Sequence, residues 1–228
     1  MNGEERGEGQ DMVKKRSRNV FLNKSSLVSE QLNNIRANIE FLTGQKESHS
    51  LSVTSANKGE GKSFILNNFA HNLANQNEKV ILIDTDFHNP KLSKDYETLN
   101  QYGLSDVITK RVKTEDVIVP IKKDYLDLIP CGTIPPNADK ILSEEYLEQI
   151  IAELKQTYQW VLLDCSPASL FLESLFVARK VDGVIIVVNA YKTTEEEVVE
   201  IIEMLKQGKD NVLGTILNNT KKTRKNYY

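Results

Sequence analysis

The sequence has little cysteine and no long hydrophobic run. Its 228 residues include two cysteines, Cys131 and Cys165, too few for the disulfide framework that staples small secreted domains. The longest apolar stretch, Val184 to Val188, is far shorter than the ~20 residues of a membrane-spanning helix. These absences argue against a disulfide-stapled secreted domain and an intrinsic membrane span, and they favour a reducing cytoplasm.

The sequence also lacks an excess of positive charge. Lysine and arginine total 29 against 32 acidic residues, a net charge of −3, which argues against nucleic-acid binding by bulk electrostatics. Residues 1–10 are polar and acidic, unlike the basic and then apolar start of a signal peptide. We therefore expect a cytoplasmic protein without a nucleic-acid partner.

The length predicts one domain flanked by tails, since domains commonly span ~100–200 residues. Residues 1–25 mix charges with Gly and Ser and lack periodicity, which is typical of a flexible tail. The domain is predicted over 26–219. Residues 220–228 form a basic tail that ends in Tyr227 and Tyr228.

Within the domain, short apolar runs alternate with segments of helical periodicity. The predicted strands are 51–55, 80–84, 126–130, 160–164, 184–189 and 212–217. A helix is predicted from Ser29, with Leu32, Ile35, Ile39 and Leu42 on its buried face. Thr194 and Glu197 form a capping box before another helix. Near-continuous apolar strands are covered on both faces, so the prediction is an α/β fold with a doubly wound, mostly parallel sheet.

The loop after the first strand carries the strongest chemical signal. Residues 56–63 read A-N-K-G-E-G-K-S, which matches G-x-x-x-x-G-K-[ST] except that Ala56 replaces the first glycine. Glycines let backbone N–H groups surround phosphate oxygens at a helix N-terminus. Lys62 is placed to reach the β and γ phosphates and the Ser63 hydroxyl to bind Mg²⁺. A turn that binds nothing is the alternative, but the strand–loop–helix context favours a phosphate-binding loop (P-loop). The predicted nucleotide-binding residues are Asn57, Lys58, Gly59, Glu60, Gly61, Lys62, Ser63 and Phe64.

Three carboxylates follow two of the other predicted strands. Asp84 and Asp86 come after 80–83, and Asp164 comes after 160–163. Ligands of parallel sheets bind beyond the carboxyl ends of the strands, at the edge that also carries the P-loop. A single carboxylate in this position is as often a helix cap as a ligand. Together with the P-loop, Asp84 and Asp164 are candidate Mg²⁺ ligands with Ser63, and Lys62, Asp84 and Asp86 are candidate catalytic residues.

Taken together, these segments resemble the bacterial P-loop tyrosine kinases of capsule and exopolysaccharide synthesis, relatives of the ATPases that position division sites. The similarity runs from about Ser29 to Asn219. Its elements are Glu30 and 36–39 in the first helix, the P-loop, 83–90, 103–106, 127–137 and 164–167.

The resemblance implies a P-loop fold and a protein tyrosine kinase that depends on ATP and Mg²⁺. It also implies autophosphorylation of Tyr227 and Tyr228 between neighbouring subunits of a homo-oligomer. A transmembrane adaptor that controls polysaccharide chain length is implied as the partner. That adaptor would recruit the cytoplasmic kinase to the inner face of the membrane.

Four positions depart from the pattern of that family. His88 and Asn33 stand where arginines are usual, Ser166 where a proline is usual, and Glu173 where an aspartate is usual. These departures could affect the catalytic activity of the kinase and the assembly of the homo-oligomer into a ring.

Two other functions therefore stay open. One is a P-loop ATPase switch with water as the acceptor, although relatives of that kind carry a lysine where Asn57 stands. The other is a regulatory subunit that binds nucleotide without catalysis.

Overall fold

A computed structural model describes residues 27–44, 46–134, 138–143 and 145–220. The predicted N-terminal tail, the Pro-Pro-Asn turn at 135–137 and both C-terminal tyrosines lie outside these residues.

Helices alternate with strands along most of the described chain. The helices are α1 (Leu27–Thr43), α2 (Lys62–Ala74), α3 (Lys91–Asp95), α4 (Leu104–Ile108), α5 (Ala138–Ser143), α6 (Tyr146–Leu154), α7 (Glu173–Ala178) and α8 (Glu195–Lys206). The strands are β1 (His49–Ser55), β2 (Val80–Asp84), β3 (Val119–Lys122), β4 (Leu126–Ile129), β5 (Trp160–Asp164), β6 (Gly183–Asn189) and β7 (Val212–Asn218). A 3₁₀ turn, Thr114–Val117, precedes β3.

The seven strands form one sheet in the order β3-β4-β2-β5-β1-β6-β7. Every neighbouring pair is parallel except β3 with β4, which is antiparallel. The predicted α/β, mostly parallel architecture is confirmed.

The central strands are buried on both faces, as their apolar sequences predict. Alternate residues of β2 point to opposite layers: Ile81 and Ile83 pack in one apolar cluster, and Val80 and Leu82 pack in the other. Trp160 at the start of β5 is 1% exposed and lies in the second cluster. Two continuous layers of buried side chains therefore hold the sheet rigid beneath its loops.

Two local expectations differ from the structure. The edge strand β3 was not predicted, because its four residues are only half-buried or exposed and include Pro120, which cannot donate to a ladder. Leu42 was expected on the buried face of α1 but is 54% exposed. The buried residues of α1 are Ser29, Leu32 and Ile39, so the buried contacts of the helix stop before its last turn.

The parallel strands deliver their carboxyl ends to one edge of the sheet. The P-loop leaves β1 there, between β5 and β6. Asp84 and Asp164 end β2 and β5 and are register partners across the two strands. No helix among the described residues is long and apolar enough to cross a membrane.

Candidate active site

The P-loop bends where its glycines allow it to bend. Gly59 and Gly61 have φ angles of 79° and 96°, in the left-handed region that favours glycine. Gly61 is the N-cap of α2. A Cβ on Gly61 would lie 2.2 Å from the Asn218 amide nitrogen, so this glycine is also required by a close contact with β7.

Glu60 holds the loop in this conformation from inside. Its carboxylate accepts hydrogen bonds from the Ala56 backbone N–H at 3.0 Å and from the Thr193 hydroxyl. The Asn218 amide donates to the Glu60 carbonyl at 2.8 Å. Glu60 is 1% exposed, so its side chain supports the loop rather than facing a ligand.

The capping box of α8 supports the same loop. The Thr194 hydroxyl accepts from the Glu197 N–H at 3.3 Å, and the Thr194 N–H donates to the Glu197 carboxylate at 2.8 Å, as predicted. That carboxylate also accepts from the Asn57 amide at 3.0 Å. Thr193 and Asn218 were not predicted as supports of the P-loop, although Asn218 ends a strand at the edge where ligands bind.

Lys62 is buried beside the acidic residues. Its Nζ donates to Asp86 Oδ2 at 3.0 Å, and Lys62 is 8% and Asp86 1% exposed. Burial by itself lowers the pKa of Lys62, but the charges of Asp164 and Asp86 outweigh it and raise this pKa. The lysine therefore carries a full positive charge at neutral pH.

Asp84 is hydrogen-bonded to a neighbouring helix. Its Oδ2 accepts from the Ser93 backbone N–H at 2.8 Å and from the Ser93 hydroxyl at 2.7 Å. Complete burial, and then the charge of Asp164, raise the pKa of Asp84 despite these two bonds. Asp84 and Asp86, treated together in the sequence analysis, thus have different partners.

Asp164 is completely buried, and neither carboxylate oxygen has a hydrogen-bond partner within the described part of the chain. Its burial raises its pKa, although the charge of Lys62 and the nearby Ser63 hydroxyl oppose the rise. A buried carboxylate without partners is costly unless a cation compensates it.

These features fit a magnesium ion that is bound together with phosphates. The described residues contain no group of three or more His, Cys, Asp or Glu side chains that could hold a metal by themselves. Mg²⁺ usually takes one or two carboxylates and completes its shell with substrate phosphates and water. Asp164 and Ser63 therefore suit it better than Asp84, whose Oδ2 is occupied.

The structure explains part of what the four departures do. His88 Nε2 lies 2.6 Å from Glu173 Oε1, so two of them contact each other. The Ser166 hydroxyl, which a proline would lack, lies 3.3 Å from the Ser174 hydroxyl. The Asn33 amide oxygen accepts from the side chains of Asn72 and Gln76 at 2.7 and 2.9 Å, so Asn33 joins α1 to α2.

Phe64 and the tail tyrosines complete the predicted set. Phe64 follows Ser63 in the first turn of α2, and 50% of it is exposed. Tyr227 and Tyr228 lie outside the described residues, so their position relative to the P-loop stays a prediction.

The chain is similar to known proteins over most of its length. The sequence profile of the AAA domain family matches residues 48–219. Tyrosine-protein kinase YwqD of Bacillus subtilis strain 168 is 32% identical over 203 residues, which cover 89% of this chain and 86% of that protein.

Solved structures share the fold. The kinase domain of Escherichia coli tyrosine kinase ETK superposes with a TM-score of 0.80 and 26% identity, covering 88% of this chain and 79% of that one. The septum site-determining protein MinD of Pyrococcus horikoshii OT3, complexed with Mg-ADP, superposes with a TM-score of 0.65 and 26% identity, covering 78% and 72%.

Proposed function

Because this chain belongs to the AAA domain family and, within it, to the bacterial tyrosine-protein kinases, we propose that it transfers the γ-phosphate of ATP to tyrosine. The observation that carries this proposal is the arrangement beyond β1, β2 and β5. A glycine-bent loop precedes a charged, buried lysine, which contacts one carboxylate and lies near a second that has no hydrogen-bond partner in the described chain.

The P-loop would bind the nucleotide through its backbone. Residues 57–63 present N–H groups at the start of α2, where the helix dipole favours anions. Lys62 would exchange Asp86 for the β and γ phosphates, a step that the charge on its buried ammonium group favours. The Mg-ADP complex of MinD supports nucleotide and magnesium as the ligands.

Asp164 and Ser63 would hold the magnesium ion, and Asp84 would orient the loop that carries Asp86. Bound Mg²⁺ would neutralise charge on the phosphates during transfer. In the transfer, the tyrosine oxygen bonds to the γ-phosphorus while the bond between that phosphorus and the β-phosphate oxygen breaks. Asp86, released from Lys62, would accept the proton of the tyrosine hydroxyl.

Tyr227 and Tyr228 are the proposed acceptors. Strand β7 ends at Asn218, whose side chain contacts the P-loop, so the tail starts at the edge of the sheet that carries the site. Tyr227 lies nine positions after Asn218, and an extended chain of that length reaches at most ~30 Å. That reach supports presentation of the tail to a P-loop site, and the family resemblance supports the site of a neighbouring copy in a homo-oligomer.

The proposed partner is a transmembrane adaptor that recruits the kinase to the inner face of the membrane. Capsular or exopolysaccharide synthesis is the proposed process. The resemblance to kinases of such systems supports both.

Removal of the Lys62 charge tests the proposed activity. Lys62→Met should lower phosphotyrosine formation with Mg²⁺ and ATP by at least ~10²-fold, because the lysine stabilises charge on the transferring phosphoryl group. The control is Lys113→Met, a lysine whose side chain is 77% exposed and pairs with Glu115. Normal labelling by Lys62→Met would contradict the assignment, whereas phosphate release without labelled tyrosine would indicate an ATPase switch.

A further inference from the structure

Four side chains contact one another in a row that links the loops of the site. The Lys58 ammonium group lies 5.3 Å from the centre of the Phe171 ring. That ring stacks on the His88 imidazole with centroids 3.8 Å apart and planes at 16°. The imidazole is hydrogen-bonded to Glu173 at 2.6 Å. We call Lys58, Phe171, His88 and Glu173 the aromatic brace.

The brace joins the three loops that carry the proposed chemistry. Lys58 belongs to the P-loop, His88 to the loop after β2, and Phe171 to the loop after β5, with Glu173 in the first turn of α7. The loop after β5 is also tied to the start of the P-loop, because the Ala168 N–H donates to the Ser55 carbonyl at 2.9 Å. A movement of any one of these loops would therefore disturb the others.

The Glu173 end of the brace is the anchored end. The Glu173 side chain is only 7% exposed, whereas that of His88 is 40% exposed. A short hydrogen bond to a largely desolvated carboxylate is stronger than one at a surface. With Glu173 ionised, the imidazole Nε2–H is the donor. Glu173 thus fixes the position and the ring plane of His88 from the protein side.

His88 lies inside a turn that is closed by Asp86. The Asn89 backbone N–H donates to Asp86 Oδ1 at 2.9 Å, while Asp86 Oδ2 accepts from Lys62. The turn 86–89 therefore sets the direction of the Asp86 carboxylate. Because His88 is held from outside by Glu173 and Phe171, the brace restrains that turn.

We propose that His88 and Glu173 are positioning residues that act as one unit to hold Asp86 in place to accept the proton of the tyrosine hydroxyl. The proposal rests on the proposed kinase function in so far as it concerns catalysis. It treats the two departures from the family pattern as one paired feature. A misplacement of a catalytic group by ~1 Å can cost about 10²-fold in rate, so a restraint two residues away affects turnover without touching substrate.

The first test needs no kinase activity. In the nucleotide-free protein, exchange of the Asn89 amide hydrogen reports the Asn89–Asp86 bond directly. His88→Ala and Glu173→Ala should each accelerate this exchange at least ~5-fold, and the double variant should add little, because either change removes the same restraint. Unchanged exchange in both single variants would overturn the proposal.

The second test separates positioning from nucleotide binding. At saturating ATP, either alanine variant should lower kcat for tyrosine phosphorylation by about 10–100-fold. KM for ATP should change less than ~3-fold, because the P-loop is also held by hydrogen bonds with Glu60, Glu197 and Asn218, which involve neither of the substituted residues. Glu173→Gln, whose amide oxygen can still accept from the imidazole, should retain more than about a third of the wild-type rate.

Two comparisons complete the design. Glu115→Ala removes an exposed carboxylate that pairs with Lys113, and it should leave both readouts at the wild-type level. His88→Gln removes the ring that stacks on Phe171 but keeps a side-chain donor, so if His88→Ala unfolds, this variant should show a smaller change of the same sign in both readouts. A KM effect without a kcat effect, or additive losses in the double variant, would overturn the positioning role. A wild-type protein that makes no phosphotyrosine would refute the proposed function, while amide exchange would still decide whether the brace holds Asp86.

Discussion

At the scale of single residues, the site is a balance of buried charges. Lys62 faces a carboxylate that it contacts, Asp86, and one near it that lacks hydrogen bonds within the described structure, Asp164. Such an arrangement is unfavourable for the folded chain alone, because desolvated charges need partners. A ligand that brings positive charge to Asp164 and negative charge to Lys62 would relieve the cost on both sides.

Asp164→Asn should stabilise the free protein while abolishing its response to magnesium. Burial raises the native pKa of Asp164 above its ordinary value of ~4. The unfolded chain therefore ionises first, and the native state loses relative stability as pH rises above ~4. The variant should gain about 1 kcal/mol at pH 7, or ~2–4 °C in Tm, and this gain should vanish toward pH 4. The measurement is thermal unfolding at both pH values, with and without Mg²⁺ and nucleotide.

Two outcomes would count against this account of Asp164. A loss of stability at pH 7 would mean that the carboxylate is already satisfied in the native protein. An equal stabilisation of wild type and variant by Mg²⁺ with nucleotide would remove Asp164 from the ion's ligands.

At the scale of elements, the P-loop depends on β7 and α8 as much as on its own sequence. Asn218 from β7, Thr193 before α8 and Glu197 in its first turn all bond to the loop. The elements that supply these contacts lie more than a hundred residues from the loop in sequence. The loop is thus preorganised by tertiary structure.

Gly61→Ala should impair nucleotide binding more than Gly59→Ala. Both glycines have positive φ, which strains any other residue by about 1–2 kcal/mol. A Cβ at Gly61 would also meet the Asn218 amide at 2.2 Å, whereas one at Gly59 meets nothing within 4 Å. We expect Kd for ATP to rise more than ~10-fold for Gly61→Ala, the equivalent of 1.4 kcal/mol, and less for Gly59→Ala.

Calorimetric titration with ATP checks this order. Asn218→Ala in the Gly61→Ala background removes the collision but keeps the strained φ, so it should recover only part of the affinity. Equal losses for the two glycine variants would show that the contact with β7 does not matter.

The elements differ in how well local sequence predicts them. Strands such as β2 and β5 were predicted with correct bounds because burial on both faces makes them almost wholly apolar. The capping box of α8 was predicted because its chemistry is local. The edge strand β3 and the exposure of Leu42 depend on which neighbours are present, and a pattern within one segment does not contain that information.

In the site too, local sequence predicts some features, and others depend on neighbouring elements. Motif spacing placed Lys62, Ser63, Asp84, Asp86 and Asp164 in the site, and the structure gathers the strand ends that carry them at one edge. Motif spacing did not separate Asp84, bonded to Ser93, from Asp86, bonded to Lys62, because these two partners come from different helices, α3 and α2. Nor did it pair His88 with Glu173, which are 85 positions apart in sequence.

At the scale of the whole molecule, a polar cluster joins several segments of the chain. It lies near the starts of β1 and β6, away from the site. Asp182, just before β6, accepts from the backbone and hydroxyl of Ser50 in β1, both at 2.8 Å. It also pairs with Lys155 at 2.6 Å and with Lys46 at 3.0 Å. One carboxylate therefore joins β1, the end of α6 and the segment before β1.

Asp182→Asn should lower global stability in a pH-dependent manner. Although burial opposes it, hydrogen bonds from Lys155 and Ser50 hold the pKa of Asp182 well below its usual range. The ionised group thus stabilises the fold above pH ~4, and this contribution declines as pH falls through the lowered native pKa. We expect a loss of about 2 kcal/mol at pH 7 and a smaller loss at pH 3.

Urea unfolding at pH 7 and pH 3 measures both values. The control is Asp210→Asn, whose side chain is 77% exposed and lies 3.6 Å from Lys206, so its effect should stay within about 0.5 kcal/mol. A loss for Asp182→Asn that is the same at both pH values would show that its charge is not what stabilises the fold.

The most direct test of the central claim follows the γ-phosphate. Full-length protein is incubated with Mg²⁺ and γ-labelled ATP, and label is measured on tyrosine and as free phosphate, for wild type and for Tyr227→Phe/Tyr228→Phe. If the tail tyrosines are the acceptors, phosphotyrosine forms on the wild type and disappears in the double phenylalanine variant. Release of labelled phosphate with no label on tyrosine would contradict it and would make water, not tyrosine, the acceptor.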